Sequence, residues 1–308
     1  MERTMTTASL AASAFSVPVA GGALVGGQWH EDAAGLPVLA VHGITASHRN
    51  WDLFAEAMPE RRIVAPDLRG RGHSNGLPGP YGLEQHADDL AAVLDALGID
   101  RAYVVGHSMG AFVSVRLAQR HPERVAGLAL VDGGLPVPSP AGVAAEELPK
   151  LLLGPALERL SMTFADRAAY LAFWRRHPAL GPYWNDAIEG YVDYDLDGRE
   201  PQLRSSANAD AVAVNAVELD GRGGYTAALA ALPAPVDVFR APRGLLDEAP
   251  LYPEALVAEW AARVPALVTH EVADVNHYTI LMTEGGTGSV IPVIRARIEA
   301  ADTQEGAT

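Results

Sequence analysis

The sequence predicts an α/β fold: a mostly parallel sheet with helices on both faces and a helical segment inserted late in the strand order. Three observations predict it. Short apolar runs of strand character alternate with helical runs up to about residue 131; the alternation breaks after Gly134 and resumes at Val236; and one strand–helix junction carries Gly106-His107-Ser108-Met109-Gly110. Strands that alternate with helices pair in parallel, because each helix carries the chain back to the same end of the sheet.

Residues 15–20 and 23–29 flank Gly21-Gly22 and form a hairpin pattern. Residues 36–41 are a continuous apolar run ending at His42-Gly43, which suits a strand buried on both faces. Residues 62–65 are a second such run. Leu83, Ala87, Leu90, Val93, Leu94 and Leu97 recur at helical spacing, and Gly98 stops that helix. Residues 101–105 form a strand that leads into the serine turn and an apolar helix ending near Arg120, and residues 125–131 form another strand. From 136 to 226 the pattern is helical and aromatic. Strands near 236–239 and 267–272 follow, with helices over 253–263 and 290–300. The Gly285-Gly286 pair before the last helix is expected to be a flexible turn. The long interruption is expected to be a helical lid over the carboxyl ends of the strands, where open α/β sheets bind ligands.

Composition narrows the function. At 308 residues, 49% hydrophobic and 20% charged, the chain is globular and large enough to hold a core without disulfides. It has no cysteine, which excludes a disulfide scaffold, an iron–sulfur site and a thiol nucleophile. A net charge of −15 opposes binding to nucleic acid or anionic lipid. No apolar run approaches the ~18 residues a spanning helix needs. Residues 1–14 are expected to be a loose tail and the protein to be cytoplasmic.

Ser108 stands where a G-x-S-x-G turn needs it, after a strand and at the start of a helix. A serine hydroxyl is a weak nucleophile and requires a base. His277 follows the last strand in Ala273-Asp274-Val275-Asn276-His277, on a polar loop. The base in turn needs an orienting carboxylate. Asp247, in Arg243-Gly244-Leu245-Leu246-Asp247, is favoured; Asp132, in Val131-Asp132-Gly133-Gly134, is the alternative. Both follow a sheet strand, and both keep the chain order Ser, Asp, His. The backbone N–H groups of Ile44 and Met109 are the expected oxyanion donors. Tyr183 and Trp184 are the lid aromatics expected to face the substrate. The scattered histidines offer no metal site and no dinucleotide fingerprint opens the first strand–helix unit, so no metal or other cofactor is expected.

These residues resemble the α/β-hydrolase superfamily, and specifically its lid-bearing esterase, lactonase and cofactor-free oxygenase-like branch. The resemblance runs from about Val17 to Ala300. It rests on His42-Gly43, Asp67-Leu68-Arg69-Gly70-Arg71-Gly72-His73-Ser74, the Ser108 turn, the Gly244-to-Asp247 spacing and Asn276-His277. It implies an eight-stranded sheet with a cap after the sixth strand, hence a core of residues 15–135 and 227–300, a cap of 136–226 and a second tail of 301–308. It also implies that the 67–74 segment braces the oxyanion strand, its arginines and His73 being scaffold. Asp247 fits the usual position of the acid. Asp132 fits the variant found in hydrolases of the lactone zearalenone, so the choice stays open. Aspartate-dependent relatives are disfavoured by Ser108, and the iminopeptidase pattern by Met109.

The expected activity is serine-dependent hydrolysis of a carboxylic ester or lactone with a hydrophobic body. Hydrolysis of a carbon–carbon bond and a ligand receptor on the same scaffold are the alternatives. The expected partner is that small molecule, and an apolar lid edge leaves pairing of two copies open.

Overall fold

The computed structural model describes residues 12–137, 155–233 and 235–305. Of the expected tails and lid, residues 1–11, 138–154 and 306–308 lie outside the described residues.

The chain opens with β1 (Ser13–Val19) and β2 (Gly22–Trp29), paired antiparallel around Gly21. β3 (Val38–Val41), α1 (Asp52–Glu56), β4 (Ile63–Pro66), α2 (Leu83–Ala96), β5 (Ala102–His107), α3 (Met109–Arg120) and β6 (Val125–Val131) follow. The first parallel strand begins two residues later than expected, because Pro37 has no N–H to pair; its carbonyl instead accepts from the Tyr103 N–H at 2.9 Å.

After β6 the described chain is mainly helical. It contains α4 (Pro155–Arg159), α5 (Arg167–Arg175) and α6 (Asp186–Tyr194), a small ribbon of β7 (Leu196–Asp197) and β8 (Arg204–Ser205), then α7 (Ala209–Glu218) and α8 (Tyr225–Ala230). The main sheet resumes with β9 (Val236–Arg240), α9 (Glu254–Arg263), β10 (Leu267–Glu271), α10 (Thr279–Met282) and α11 (Glu284–Glu305). The eight main strands lie in the order β1-β2-β4-β3-β5-β6-β9-β10. Every pairing from β4 to β10 is parallel, and only β1–β2 and β2–β4 are antiparallel.

Strand periodicity sorts the core into two layers. Leu39, Val41, Val104, Leu128 and Leu130 point to one face, where they pack with α2 and α3. Val38, Ala40, Val105, Ala129 and Val131 point to the other, where they meet Phe54 of α1 and Val290, Ile294 and Ile298 of α11. The segment between β6 and β9 has an apolar cluster of its own, built on Tyr170, Trp174, Ile188 and Tyr191. It is seated on Tyr278 and Met282 of the sheet domain.

The Gly285-Gly286 pair departs from expectation. Both glycines lie inside α11, not in a turn before it. A Cβ on Gly286 would come within 2.3 Å of the Thr279 carbonyl and 2.5 Å of the Ile280 carbonyl. Close packing against α10, not flexibility, explains that glycine.

Candidate active site

β5 runs straight into α3, and Ser108 is the single residue between them. Its φ of 55° and ψ of −124° are costly for a residue with a Cβ, and the surrounding structure must impose them. The Ser108 N–H donates to the Val131 carbonyl at 3.0 Å, tying the turn to the end of β6. A Cβ on Gly106 would lie 2.5 Å from the Gly110 carbonyl, and one on Gly110 would lie 2.0 Å from the Val41 carbonyl. The strand and helix cross this closely only because both positions are glycine. Ser108 is thereby held half-buried at the sheet rim, at the N-terminus of α3.

His277 follows β10 on the loop before α10 and is buried. Its Nδ1 lies 2.6 Å from Asp132 Oδ2. Asp132, fully buried just past β6, accepts the Ala241 N–H on its other oxygen at 3.0 Å. The expected pairing of His277 with Asp247 is not formed. Asp247 Oδ1 accepts from Asn276 Nδ2 at 2.8 Å and lies 2.9 Å from Arg243 Nε. Its side chain keeps a quarter of its surface exposed, against none for Asp132. The physical reason is local: the 243–247 turn closes through the Asp247 N–H to the Gly244 carbonyl, and Asp247 takes a φ of 62°. That turn points its carboxylate at the neighbour of His277 rather than at the ring.

Gly43 lies against the serine, since a Cβ there would be 3.1 Å from Ser108 Cβ. The peptide joining Gly43 to Ile44 is pinned by His42. The Leu68 N–H donates to His42 Nε2 at 2.9 Å, so the ring carries its proton on Nδ1 and donates it to the Gly43 carbonyl at 2.8 Å. Burial pulls His42 down to about 4, which keeps the ring neutral. Ile44 and Met109, the expected oxyanion donors, both line the cavity that holds Ser108 and His277.

That cavity is mostly apolar. Ile44, Met109, Phe112, Val137, Leu219, Leu245 and Leu251 line it, with Tyr191, Tyr252 and Tyr278. No Asp, Glu, Lys or Arg is among the described lining residues. Tyr183 and Trp184, expected to face the substrate, are not among them either. Their outer faces are engaged instead: Arg243 donates to the Tyr183 hydroxyl at 2.9 Å, and Trp184 donates to Glu189 at 3.2 Å under the Arg175 guanidinium. Among the aromatics of the intervening segment, Tyr191 of α6 reaches the cavity.

Sequence reasoning passed over Asn50 and His107. Asn50 is buried beside the cavity with its Nδ2 lacking a partner among the described residues, and no motif marks it. His107 was legible in the serine turn. It donates from Nε2 to the His277 carbonyl at 2.9 Å, and the two rings lie 4.7 Å apart. Burial drives its pKa well below the usual 6.5, so a neutral ring braces the loop that carries His277.

Residues 37–232, more than half of the chain, match the family model described as alpha/beta hydrolase fold. A lipase of Mycobacterium tuberculosis is 42% identical over 95 residues, which are 31% of this chain and 36% of the lipase. A 2-hydroxymuconate semialdehyde hydrolase of a Pseudomonas species is 37% identical over 122 residues, 38% of this chain and 43% of that protein. The matches thus span less than half the length of these relatives. Among solved structures, that of E-2-(acetamidomethylene)succinate hydrolase shares the fold. It has a TM-score of 0.71 at 24% identity, over 93% of this chain and 97% of that one.

Proposed function

The chain belongs to the alpha/beta hydrolase fold family, and on that premise we propose that it is a serine hydrolase of carboxylic esters or lactones with a hydrophobic body. The observation that carries this reading is the Asp132–His277 pair at 2.6 Å, whose histidine lines the apolar cavity that also holds Ser108.

With Nδ1 of His277 committed to Asp132, Nε2 is the nitrogen left for chemistry. Nε2 takes the Ser108 proton as Oγ attacks the carbonyl carbon. Asp132 holds the ring and balances the imidazolium that results. The Ile44 and Met109 N–H groups receive the negative oxygen of the tetrahedral intermediate, each worth about 3 kcal/mol in the transition state. His277 returns the proton to the leaving alcohol, giving an acyl-Ser108 and a neutral base. Water then attacks the acyl carbon by the same steps, releasing the acid and restoring Ser108.

The lining supports a neutral, apolar substrate. A carboxylate on the substrate would enter without a cation among the described lining residues, and a buried unpaired charge is costly. We read the segment between β6 and β9 as the lid, with Val137, Tyr191 and Leu219 as its described contributions to the cavity.

Acid release measured by pH-stat across aryl esters, alkyl esters and lactones tests this reading. Ser108→Ala should lower turnover by roughly 10⁶. A variant that keeps near-full turnover would overturn the mechanism. A carbon acid found among the products in place of an alcohol would move the reading to hydrolysis of a carbon–carbon bond. Ligand-dependent thermal stabilisation with no turnover would move it to a receptor.

A further inference from the structure

Five arginines are buried among the described residues: Arg69, Arg71, Arg116, Arg159 and Arg240. Four of them face a carboxylate within 4 Å, namely Asp89, Glu84, Asp195 and Glu271. Arg71 does not. Two residues earlier in the same loop, Arg69 makes a forked pair with Asp89 at 2.9 and 2.8 Å, so the contrast is not one of location. Among the described residues Arg71 meets neutral groups only: the carbonyls of Ile44 at 2.9 Å, Arg69 at 3.0 Å and Ala211 at 3.3 Å, with Met109 Sδ at 3.9 Å and His86 Nε2 at 3.5 Å. Burial pulls it down to about 9, which still leaves it charged at neutral pH. An unpaired buried cation is costly and is retained only where something offsets the cost.

Its contacts point to what does. Ile44 and Met109 are the two residues whose N–H groups are read as the oxyanion donors. The peptide before Ile44 is held by His42, as described, and the peptide after it is held by Arg71 Nε. We propose that Arg71 is a positioning residue for the oxyanion hole, fixing the Ile44 backbone and leaving beside it a positive charge that the transition-state oxyanion balances. The inference rests on the serine-hydrolase reading above. A preorganised charge of this kind acts chiefly when the oxygen becomes negative, so it raises turnover more than substrate affinity. The Ala211 carbonyl at the start of α7 also ties this group to the segment above the cavity.

The test compares Arg71→Met, Arg71→Lys and Ser108→Ala with the parent on p-nitrophenyl acetate. It also measures inhibition by phenylboronic acid, which forms an anionic tetrahedral adduct on an active serine. Arg71→Met should lower kcat by about 100-fold with KM within about threefold, and weaken the boronic acid by a similar factor. Arg71→Lys, which restores the charge, should recover about tenfold of the lost kcat. If Arg71→Met does not fold, Arg71→Gln supplies the uncharged side of the comparison while keeping a donor for the carbonyls. The proposal is overturned if the uncharged variant keeps kcat within about threefold, if KM rises while kcat holds, or if Lys is no better than the uncharged variant. Ser108→Ala separates the two readings. An active Ser108→Ala brings down the serine mechanism and this inference with it, whereas an inactive one beside an unimpaired Arg71→Met removes this inference alone.

Discussion

At the scale of single residues, the two acid candidates differ in what their oxygens already bind. Asp132 gives one oxygen to the Ala241 N–H and the other to His277. Asp247 gives Oδ1 to Asn276, whose own side-chain oxygen accepts the Tyr278 and Thr279 N–H groups at 3.0 Å. Asp247 therefore shapes the backbone around His277 without touching its ring. Asp132→Asn should lower kcat by roughly 10⁴, because the amide favours the wrong tautomer of His277. Asp247→Asn keeps an acceptor for Asn276 and should cost less than about tenfold. Steady-state kinetics of the two variants side by side checks this, and equal losses would contradict it. That Ser108 and His277 share one cavity was legible in the sequence, because each follows a sheet strand in a recognisable loop. The acid pairing was not, because both aspartates sit past neighbouring strand ends and only the turn geometry at 243–247 separates them.

At the scale of elements, the glycines state how closely the pieces approach. Gly110→Ala would drive a Cβ into the Val41 carbonyl and should destabilise by about 3 kcal/mol or more, read from denaturant unfolding. Gly288→Ala, on the exposed side of α11 with nothing within 4 Å, should stabilise by about 0.5–1 kcal/mol. Similar effects at both sites would contradict the close-crossing account. Strand boundaries were legible to within a residue or two, because continuous apolar runs bounded by Pro and Gly leave little freedom. The start of α11 was not. Gly285-Gly286 has the chemistry of a turn, and only the carbonyls of α10 explain a glycine within a helix there. That Tyr183 and Trp184 are not among the described lining residues could not be read in advance for a similar reason. An aromatic run shows that a helical segment has a core, but not which ring turns inward.

At the scale of the whole molecule, four neutral histidines set the response to acid. Burial lowers His42 and His177 to about 4 and His86 to about 3, and pushes His107 well below its ordinary 6.5. The unfolded chain takes up these protons near pH 6.5 and the folded chain does not, so stability is lost as pH falls from 6.5 towards 4. Asp52, raised to about 6 by burial, opposes this as pH falls below 6, and burial raises Glu218 in the same sense, two carboxylates against four histidines. Thermal unfolding should therefore show Tm at least about 5 °C lower at pH 5 than at pH 7, and an unchanged Tm would contradict the account. The parallel sheet and the interruption of its order were legible because alternation over many elements averages out local error. The cavity was not, since it forms where Tyr191, Val137, Leu251 and Tyr278 converge from distant parts of the chain. The central claim, that Ser108 is the activated nucleophile, is tested most directly by covalent trapping. The protein is treated with a fluorophosphonate, digested, and the modified peptide identified by mass spectrometry. The account predicts one adduct, on Ser108, absent from Ser108→Ala and formed far more slowly in Asp132→Asn. An adduct on another residue, or none from an enzyme that turns over esters, would contradict it.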